Sequence, residues 1–267
     1  MANVPQNKFS KWYNKWKVIA EFNGPSLDDI ELDHRISKVI RLWTGRIPQA
    51  GKWKRTFEQG DFNKLKDLSK PGIIYRRSDR KSSNPGEHRI ENAIITNEAR
   101  IIFLASEYKF DPVVNAFPCA KDSGGRRKSN VEFDLLGILK ANTDAVHPLI
   151  CEIKAGKAGS KNPWYAAIEN LRQLKLFIDN ADNLEFIRKK RGDNKLKFGA
   201  SVGIIIAEPD YYESPGQKLN SMKPTQKLLE RLRKQCKDAR VILAKWDKDS
   251  NRVDRVGGCD LQDAFRR

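Results

Sequence analysis

The run FGASVGIIIAE, residues 198–208, restricts the fold more than any other segment. It is apolar and rich in β-branched residues, which favour strands, and it is too short to cross a bilayer. A strand without polar alternation is buried on both faces, in a sheet that helices cover on both sides. We therefore expect a central strand here, in a protein of the α/β class.

The segments before and after this strand alternate between helical and strand-like periodicity. Asn84 and Pro85 are start signals for the first of these segments, and an Asn-Pro pair begins the second predicted helix. This order predicts an α/β sandwich around a mixed central sheet flanked by helices. The predicted elements are a helix (84–109), three strands (112–120, 130–140 and 148–155), a helix (162–181), the central strand, a helix (223–237) and a closing strand (240–246).

The first part of the chain differs in composition from the rest, because four of its six tryptophans are interleaved there with lysine and arginine. A helix, or two, is predicted over residues 27–45. We interpret residues 1–83 as a mainly helical accessory segment that packs on a catalytic domain formed by residues 84–267. The aromatic residues within 8–17 are expected to dock this segment onto the core, with base stacking as the alternative.

The net charge of the chain is +17, from 51 basic and 34 acidic residues. Positive charges in such excess repel one another, and this composition is typical of proteins that bind polyanions. Counterion release favours nucleic acid, so DNA is the expected partner, with RNA left open. Neither a signal peptide nor a membrane-binding amphipathic helix is recognised, which predicts a cytoplasmic protein that binds no membrane. The cysteines are expected to be reduced, mostly buried residues: Cys119, Cys151, Cys236 and Cys259.

Charged residues interrupt two of the predicted strands. Asp134 lies within the apolar run EFDLL, and Glu152 and Lys154 follow the apolar residues PLIC. Residues two apart in a strand point to the same side, so Glu152 and Lys154 share a face. If the two strands are antiparallel neighbours, Asp134 lies beside Glu152, and two carboxylates side by side repel unless a cation separates them.

Oxygen ligands of this kind suit Mg²⁺ or Mn²⁺, which keep several waters and accept phosphate oxygens. Lys154 beside the ion would hold or deprotonate a water that attacks phosphorus. Two structural interpretations stand beside this one. Glu152 and Lys154 would form a cross-strand ion pair on a solvated face, and Asp134 would be a buried carboxylate satisfied by backbone N–H groups.

The combination of Asp134 with Glu152-Ile153-Lys154 resembles the PD-(D/E)xK nucleases, the restriction-endonuclease-like superfamily, although Phe133 stands at the position of the name-giving proline. The resemblance covers roughly residues 84–246 and implies a core of helix, three strands, helix and strand. It implies that Asp134, Glu152 and the Ile153 carbonyl bind the metal and that Lys154 is the catalytic lysine.

The resemblance also implies an acidic ligand from the first helix. Glu91 is preferred to Glu87, because a capping box already accounts for Glu87. In the second helix, QLKLF, residues 173–177, is similar to the Q-xxx-Y signature of RecB-type nucleases, with phenylalanine in place of tyrosine. That similarity adds Gln173 to the candidate catalytic residues.

Basic clusters in predicted loops are candidates for contacts to nucleic-acid phosphates. The loop 121–130 precedes the Asp134 strand, and the segment 188–197 precedes the central strand, with a third cluster at residues 76–81. Solvated charge runs are the alternative interpretation. The candidate side chains are Arg126, Arg127, Lys128, Arg188, Lys189, Lys190 and Arg191.

The sequence therefore predicts a divalent-metal-dependent deoxyribonuclease, and an endonuclease in preference to an exonuclease, because nothing indicates a closed ring or a helicase partner. A homodimer or a larger nucleoprotein complex would suit double-strand cutting. Two alternatives stay open. One is a non-catalytic nucleic-acid-binding protein with a nuclease-like core, and the other is a resolvase or transposition-type nuclease that acts within a complex.

Overall fold

The structure of the protein is a computed structural model. It describes residues 8–21, 28–48, 85–96, 102–104, 108–118, 132–140, 144–156, 162–180, 182–213, 222–250, 252–260 and 264–265.

An eight-stranded mixed sheet forms the centre of the described structure. Its strands are β1 (Ile102–Phe103), β2 (Lys109–Pro118), β3 (Glu132–Lys140), β4 (Ala145–Lys154), β5 (Lys197–Phe198), β6 (Val202–Ala207), β7 (Val241–Asp247) and β8 (Arg252–Gly258). The strand order is β1-β8-β7-β6-β4-β3-β2, with β5 paired to the start of β4. Strands β4, β6 and β7 are parallel, whereas β3 is antiparallel to β4 and β8 is antiparallel to β7. The predicted α/β class with a mixed sheet is confirmed.

Helices cover both faces of this sheet. They are α1 (Lys8–Ala20), α2 (Asp29–Thr44), α3 (Pro85–Thr96), α4 (Pro163–Ile178), α5 (Asp182–Arg191), α6 (Pro209–Glu213) and α7 (Met222–Gln235). One face of the sheet packs on α3, and the other packs on α4 and α7, which are covered in turn by α1 and α2. Every residue of β6 is buried, as the apolar run 198–208 predicted.

Helix α4 lies directly on the sheet. The side chain of Asn162 caps the helix by accepting a hydrogen bond of 2.9 Å from the backbone N–H of Tyr165, and Pro163 occupies the first turn. Both features agree with the predicted start signal. The helix is buried over most of its length, and the buried residues include the polar side chains of Asn170, Arg172 and Gln173.

The N-terminal helices belong to the same hydrophobic core as α4. Trp16 is fully buried, Trp43 donates a hydrogen bond of 3.1 Å to Asp238, and Trp164 donates one of 3.1 Å to the Ile19 carbonyl. The aromatic residues therefore dock α1 and α2 onto the core, as expected. The sequence did not indicate α1 as a helix, because lysines separate the aromatic residues and hide their helical spacing.

Two expectations about secondary structure are wrong, and one strand was missed. The first helix ends at Thr96 instead of continuing to 109, because Ile102 and Phe103 pair with β8 and Lys109 already begins β2. Long-range pairing overrides the helical spacing there. Residues 188–191, expected in a loop, form the last turn of α5. The strand β8 was not predicted, because it has only two apolar residues and therefore no clear strand pattern.

Among the described helices, none combines the length and the apolar character that crossing a bilayer requires. Cys151, Cys236 and Cys259 are free and buried, as predicted, and Cys119 lies outside the described residues. Burial raises the pKa of the Cys151 thiol well above its ordinary value, with the charges of Asp134 and Glu152 adding to the effect. This thiol is therefore part of the hydrophobic core.

Candidate active site

The register of β3 and β4 brings Asp134 beside Glu152. The two strands are antiparallel, with Leu135 opposite Cys151 and Leu136 opposite Ile150, and one further step places Asp134 opposite Glu152. Leu136 and Ile150 pack towards α4, so Asp134 and Glu152, which have the same parity along their strands, also project to that side. The structure thus brings together the two acids that the sequence selected.

Asp134 is fixed by the strand that carries the Glu-x-Lys triplet. Its Oδ2 atom accepts a hydrogen bond of 2.7 Å from the backbone N–H of Ile153. Burial raises the pKa of Asp134 to about 7, although Lys154 and the Ile153 hydrogen bond both oppose the rise. One backbone N–H group therefore holds this carboxylate, which agrees in part with the alternative interpretation of Asp134. Burial still leaves this acid hard to ionise.

Glu152 is buried, with 4% of its surface exposed, and two side chains contact its carboxylate. Lys154 Nζ lies 2.5 Å from Oε1, and Gln173 Nε2 donates a hydrogen bond of 2.8 Å to Oε2. The structure therefore places Gln173, which lies on α4, directly at the site. The ion pair between Glu152 and Lys154 is buried, not on a solvated face.

Glu169, on α4, is a site residue that the sequence analysis missed. Its Oε2 lies 3.5 Å from Lys154 Nζ, and its side chain also forms a hydrogen bond with Glu152. Arg172 lies 3.4 Å from the other Glu169 oxygen, and its guanidinium group stacks over the ring of Tyr13 at 4.1 Å. Glu169 and Gln173 are four residues apart on one helix face, a signal that reading backwards from Gln173 would have found.

The ionisation of the three central groups follows from this packing. Burial alone would lower the pKa of Lys154, but the carboxylates of Glu152, Glu169 and Asp134 raise it well above its ordinary value. Burial raises the pKa of Glu152 well above its usual range, with Lys154 opposing. In Glu169 the cations Lys154 and Arg172 outweigh burial and lower the pKa. Lys154 is thus held as an ammonium group between acids.

Two glutamates of α3 act on Asp134 from the other side of the sheet. Glu91 is buried, with 6% of its surface exposed, and Glu87 is half-buried. The charges of both raise the pKa of Asp134, and the effect of Glu87 is the larger of the two. The structure therefore gives no preference for Glu91 over Glu87, because the start of the helix does not remove Glu87 from the vicinity of Asp134.

The site lies at the carboxyl ends of the parallel strands β4 and β6. Just beyond β6, Glu208 accepts a hydrogen bond of 2.8 Å from the backbone N–H of Gly156 and forms an ion pair with Arg89 of α3. In open α/β sheets, ligands bind in the crevice outside the carboxyl ends of the strands. The position of the acidic cluster agrees with that rule.

The donor atoms here suit a hard dication. Within the parts of the chain that the structure describes, no three His, Cys, Asp or Glu side chains gather as a complete metal cage. Mg²⁺ needs fewer, because it is commonly bound by one or two carboxylates together with waters and phosphate oxygens. The raised pKa values of Asp134 and Glu152 show that burial penalises their charges, and a dication between them would offset that penalty. These two residues fit such an ion.

The basic candidates fall into two groups. Arg126, Arg127 and Lys128 lie outside the described residues, as does the cluster at 76–81. The other four basic residues form the last turn of α5. There Arg188 lies 3.6 Å and Lys189 3.8 Å from Glu185, and Arg191 forms an ion pair with Asp111. Burial lowers the pKa of Lys190.

These α5 cations lie at the far end of the sheet from the acidic cluster. Arg188 stacks over Phe198 at 4.9 Å, and Phe198 pairs with Val146 near the start of β4. Strand β4 spans roughly 20 Å between Val146 and Glu152, at about 3.3 Å per residue. Most of the length of β4 therefore separates the α5 cations from the acidic cluster.

Comparison of the chain with protein-family models, with curated proteins and with solved structures finds no match.

Proposed function

We propose that this protein is a divalent-metal-dependent nuclease of the PD-(D/E)xK, restriction-endonuclease-like type, which hydrolyses phosphodiester bonds in DNA and acts as an endonuclease. The observation that carries the proposal is the contact set of Asp134, Glu152 and Lys154. Two acids from adjacent antiparallel strands and one ammonium group share one side of the sheet, and α4 closes over them with Gln173 and Glu169.

The topology around these residues supports the same proposal. Helix α3, strands β2, β3 and β4, helix α4 and strand β6 occur in the order that the resemblance implies. The two-residue strand β1 is inserted between α3 and β2, and α5 and β5 are inserted between α4 and β6. The acids lie where a substrate can approach, at the carboxyl ends of β4 and β6. The basic character of the chain, with a net charge of +17, suits a polyanionic substrate.

In the proposed site, Asp134 and Glu152 would hold Mg²⁺ or Mn²⁺, with the Ile153 carbonyl as a further oxygen donor. Glu91, which the resemblance implied as a ligand, lies with Glu87 across the sheet and would act on the site through its charge. When bound, such an ion supplies a water of lowered pKa and neutralises charge on the phosphate. Gln173 keeps the Glu152 carboxylate in place through its 2.8 Å hydrogen bond. Outer contacts of this kind commonly orient metal-binding carboxylates.

Lys154 acts in this proposal as a cation. Its raised pKa keeps it protonated at neutral pH, so it donates hydrogen bonds to the attacking water or to the phosphate and stabilises the developing negative charge. The pair of Glu152 and Glu169 on either side fixes the position of the ammonium group. A role as general base, which the sequence left open, is disfavoured by the same pair of acids.

One observation favours the alternative of a nucleic-acid-binding protein without catalysis. Lys154 forms a close ion pair with Glu152, so the charge of this acid is already balanced without a metal. A protein that kept the core for its shape alone would show this arrangement too. The nuclease proposal predicts that a divalent ion leads to cutting of the bound nucleic acid, whereas the binding-protein proposal predicts no cutting.

Incubation of supercoiled plasmid with the protein in Mg²⁺ or in EDTA tests the proposal. We expect cutting only with Mg²⁺, and none by Asp134→Ala or Lys154→Ala, although both variants still bind DNA. Asp144→Ala and Lys140→Ala, at exposed positions just before β4 and at the end of β3, are matched controls that keep activity. Wild-type protein that binds but cuts neither plasmid, single strands, branched DNA nor RNA contradicts the nuclease proposal and favours the binding protein.

A further inference from the structure

A groove runs along the outer surface between α1 and α2, away from the acidic cluster. Its cavity volume is about 720 Å³, and a second cavity of about 390 Å³ shares its walls and extends it towards Gly45 and Pro48. The apolar side chains of Val18, Ile19 and Leu42 line it, and Val18 is 67% exposed. The groove is thus a concave surface with an apolar base.

The walls of this groove are basic on both sides. Lys11 and Lys15 of α1 face Lys38 and Arg41 of α2, and Arg46 continues the row beyond the end of α2. All five side chains are exposed, and none of the described residues that line the groove is acidic. None of the five forms an ion pair with any residue that the structure describes.

Other cations of the same region are used in ion pairs. Lys17 pairs with Glu21 and Arg35 pairs with Glu31, each within one helical turn. Asp33, near the start of α2, forms an ion pair with Arg231 of α7 at a distance of 2.9 Å. The folded structure therefore satisfies the cations around the groove and leaves the groove itself with a single sign of charge.

Such an arrangement costs free energy in the free protein, because like charges on facing walls repel and a concave, low-dielectric surface concentrates their field. An anionic ligand removes that cost. Residues 49–84 of this chain carry more basic than acidic side chains, so they match the groove poorly in charge. A polyanion from outside the chain matches it well.

We propose that the α1–α2 groove binds the phosphate backbone of a nucleic acid. A row of cations on two facing walls suits a linear series of phosphates, whereas a flat anionic membrane does not enter a concave groove. Counterion release would supply the affinity. This site adds to the proposed function and does not depend on cleavage.

The orientation of α1 connects the groove to the candidate active site. Tyr13 stacks under Arg172, and the Ile19 carbonyl accepts the hydrogen bond from Trp164, so α1 runs antiparallel to α4 along its length. Arg172 contacts Glu169, which contacts Lys154. A strand in the groove would therefore lie along α4, outside the site, and would extend the contact with a long substrate.

Fluorescence anisotropy with a labelled duplex and a labelled single strand tests this proposal, in EDTA so that no cutting occurs. The groove variants are Lys15→Glu/Lys38→Glu and Lys11→Glu/Arg41→Glu. The control is Lys109→Glu/Lys140→Glu, which changes the net charge equally at two exposed positions that pair across β2 and β3. Each groove variant should weaken binding at least about tenfold beyond the control and reduce the slope of log K against log salt by about 2.

Equal weakening in groove and control variants overturns the proposal, because it would reflect net charge alone. The proposal is also overturned if the groove variants bind nucleic acid as wild type does but no longer bind phosphatidylserine vesicles or polyglutamate. If a glutamate pair fails to fold by circular dichroism, the corresponding glutamine pair replaces it, with a slope change of the same sign expected. If the groove variants bind more weakly but wild type cuts no substrate, the groove proposal stands and the nuclease proposal is contradicted. If wild type cuts DNA and the groove variants bind it as wild type does, the nuclease proposal stands and the groove proposal is contradicted.

Discussion

Asp134 accepts a 2.7 Å hydrogen bond from the backbone N–H of Ile153, the residue between Glu152 and Lys154. The acid of one strand is thus tied to the middle of the triplet on the next. Because a backbone group makes this contact, the relative position of Asp134 and Glu152 depends on the pairing of β3 with β4 and not on side-chain identity at 153.

Replacement of Gln173 by leucine should weaken metal binding at the proposed site. The leucine removes the 2.8 Å hydrogen bond to Glu152 Oε2, so the carboxylate loses the contact that orients it. We expect the Mg²⁺ concentration for half-maximal cutting to rise roughly 10- to 100-fold, the usual cost of losing such an outer contact. Gln226→Leu, at an exposed position of α7, is the control. An unchanged Mg²⁺ requirement would show that Gln173 only packs.

Replacement of Glu169 by glutamine should lower turnover and leave substrate binding nearly unchanged. The glutamine has the same size but no charge, so Lys154 is held by Glu152 alone instead of by two acids. Misplacement of a catalytic group by a fraction of an ångström lowers the rate strongly, and we expect a fall of roughly 10- to 100-fold. Single-turnover cutting at saturating enzyme separates this effect from affinity.

Glu185→Gln is the control for that experiment, because Glu185 also pairs with cations on a helix but lies far from the site. Glu169→Asp should recover part of the lost rate if charge near Lys154 is what matters. Equal rates for wild type and Glu169→Gln would contradict a positioning role for Glu169.

Asp134 should make the protein less stable as the pH rises from 4 to 7 in the absence of metal. Burial raises its pKa to about 7 in the folded state, whereas an unfolded chain releases the proton near pH 4. The folded state holds the proton more tightly in this window, so its contribution to stability is fully present below pH 4 and is lost as the pH passes through 7.

Urea unfolding at several pH values in EDTA measures that loss. Relative to Asp134→Asn, wild type should lose about 2 kcal/mol of its free energy of unfolding between pH 4 and 7. This is roughly half of the full linkage value, because Asp134 is only half-buried and solvent screens part of the effect. Asp144→Asn, which removes an exposed carboxyl group, should follow wild type. Parallel pH curves for wild type and Asp134→Asn would mean that Asp134 ionises normally in the folded protein.

Gly203→Ala should destabilise the fold next to the site. A Cβ atom at Gly203 would lie 2.1 Å from Asn170 Oδ1, and Asn170 is held by a hydrogen bond of 3.0 Å to the Ile150 carbonyl. Overpacking of this kind costs about 1–3 kcal/mol. Gly257→Ala is the control, since the nearest atoms there are flexible side-chain ends and the closest is 3.3 Å away. Equal unfolding midpoints for the two variants would contradict this packing.

The parts of the fold with strong local signals could be predicted from the sequence. Helix α4 has a cap, a proline in its first turn and an apolar surface, and β6 has an unbroken branched run, so both were found. Ile102 and Phe103 could not be assigned correctly, because they fit a helix in spacing and become a strand only by pairing with β8. Local propensity carries no information about such a distant partner.

The candidate site shows the same division. Asp134, Glu152 and Lys154 were found because a charge inside an apolar strand is costly and stands out. Glu169 was missed because an acid on a helix is ordinary until the helix is known to lie over Lys154. The groove cations were not recognised for the same reason, since only the packing of α1 on α2 brings Lys15 and Lys38 to one cavity.

In the proposed site Asp134 and Glu152 bind one divalent ion together, and a crystal structure with Mn²⁺, located by its anomalous scattering, is the sharpest test. We expect one Mn²⁺ with an oxygen of each carboxylate at about 2.0–2.3 Å, and no such peak in Asp134→Asn. A Mn²⁺ bound elsewhere, or no bound Mn²⁺ at a concentration that supports cutting, would rule out the proposed metal site.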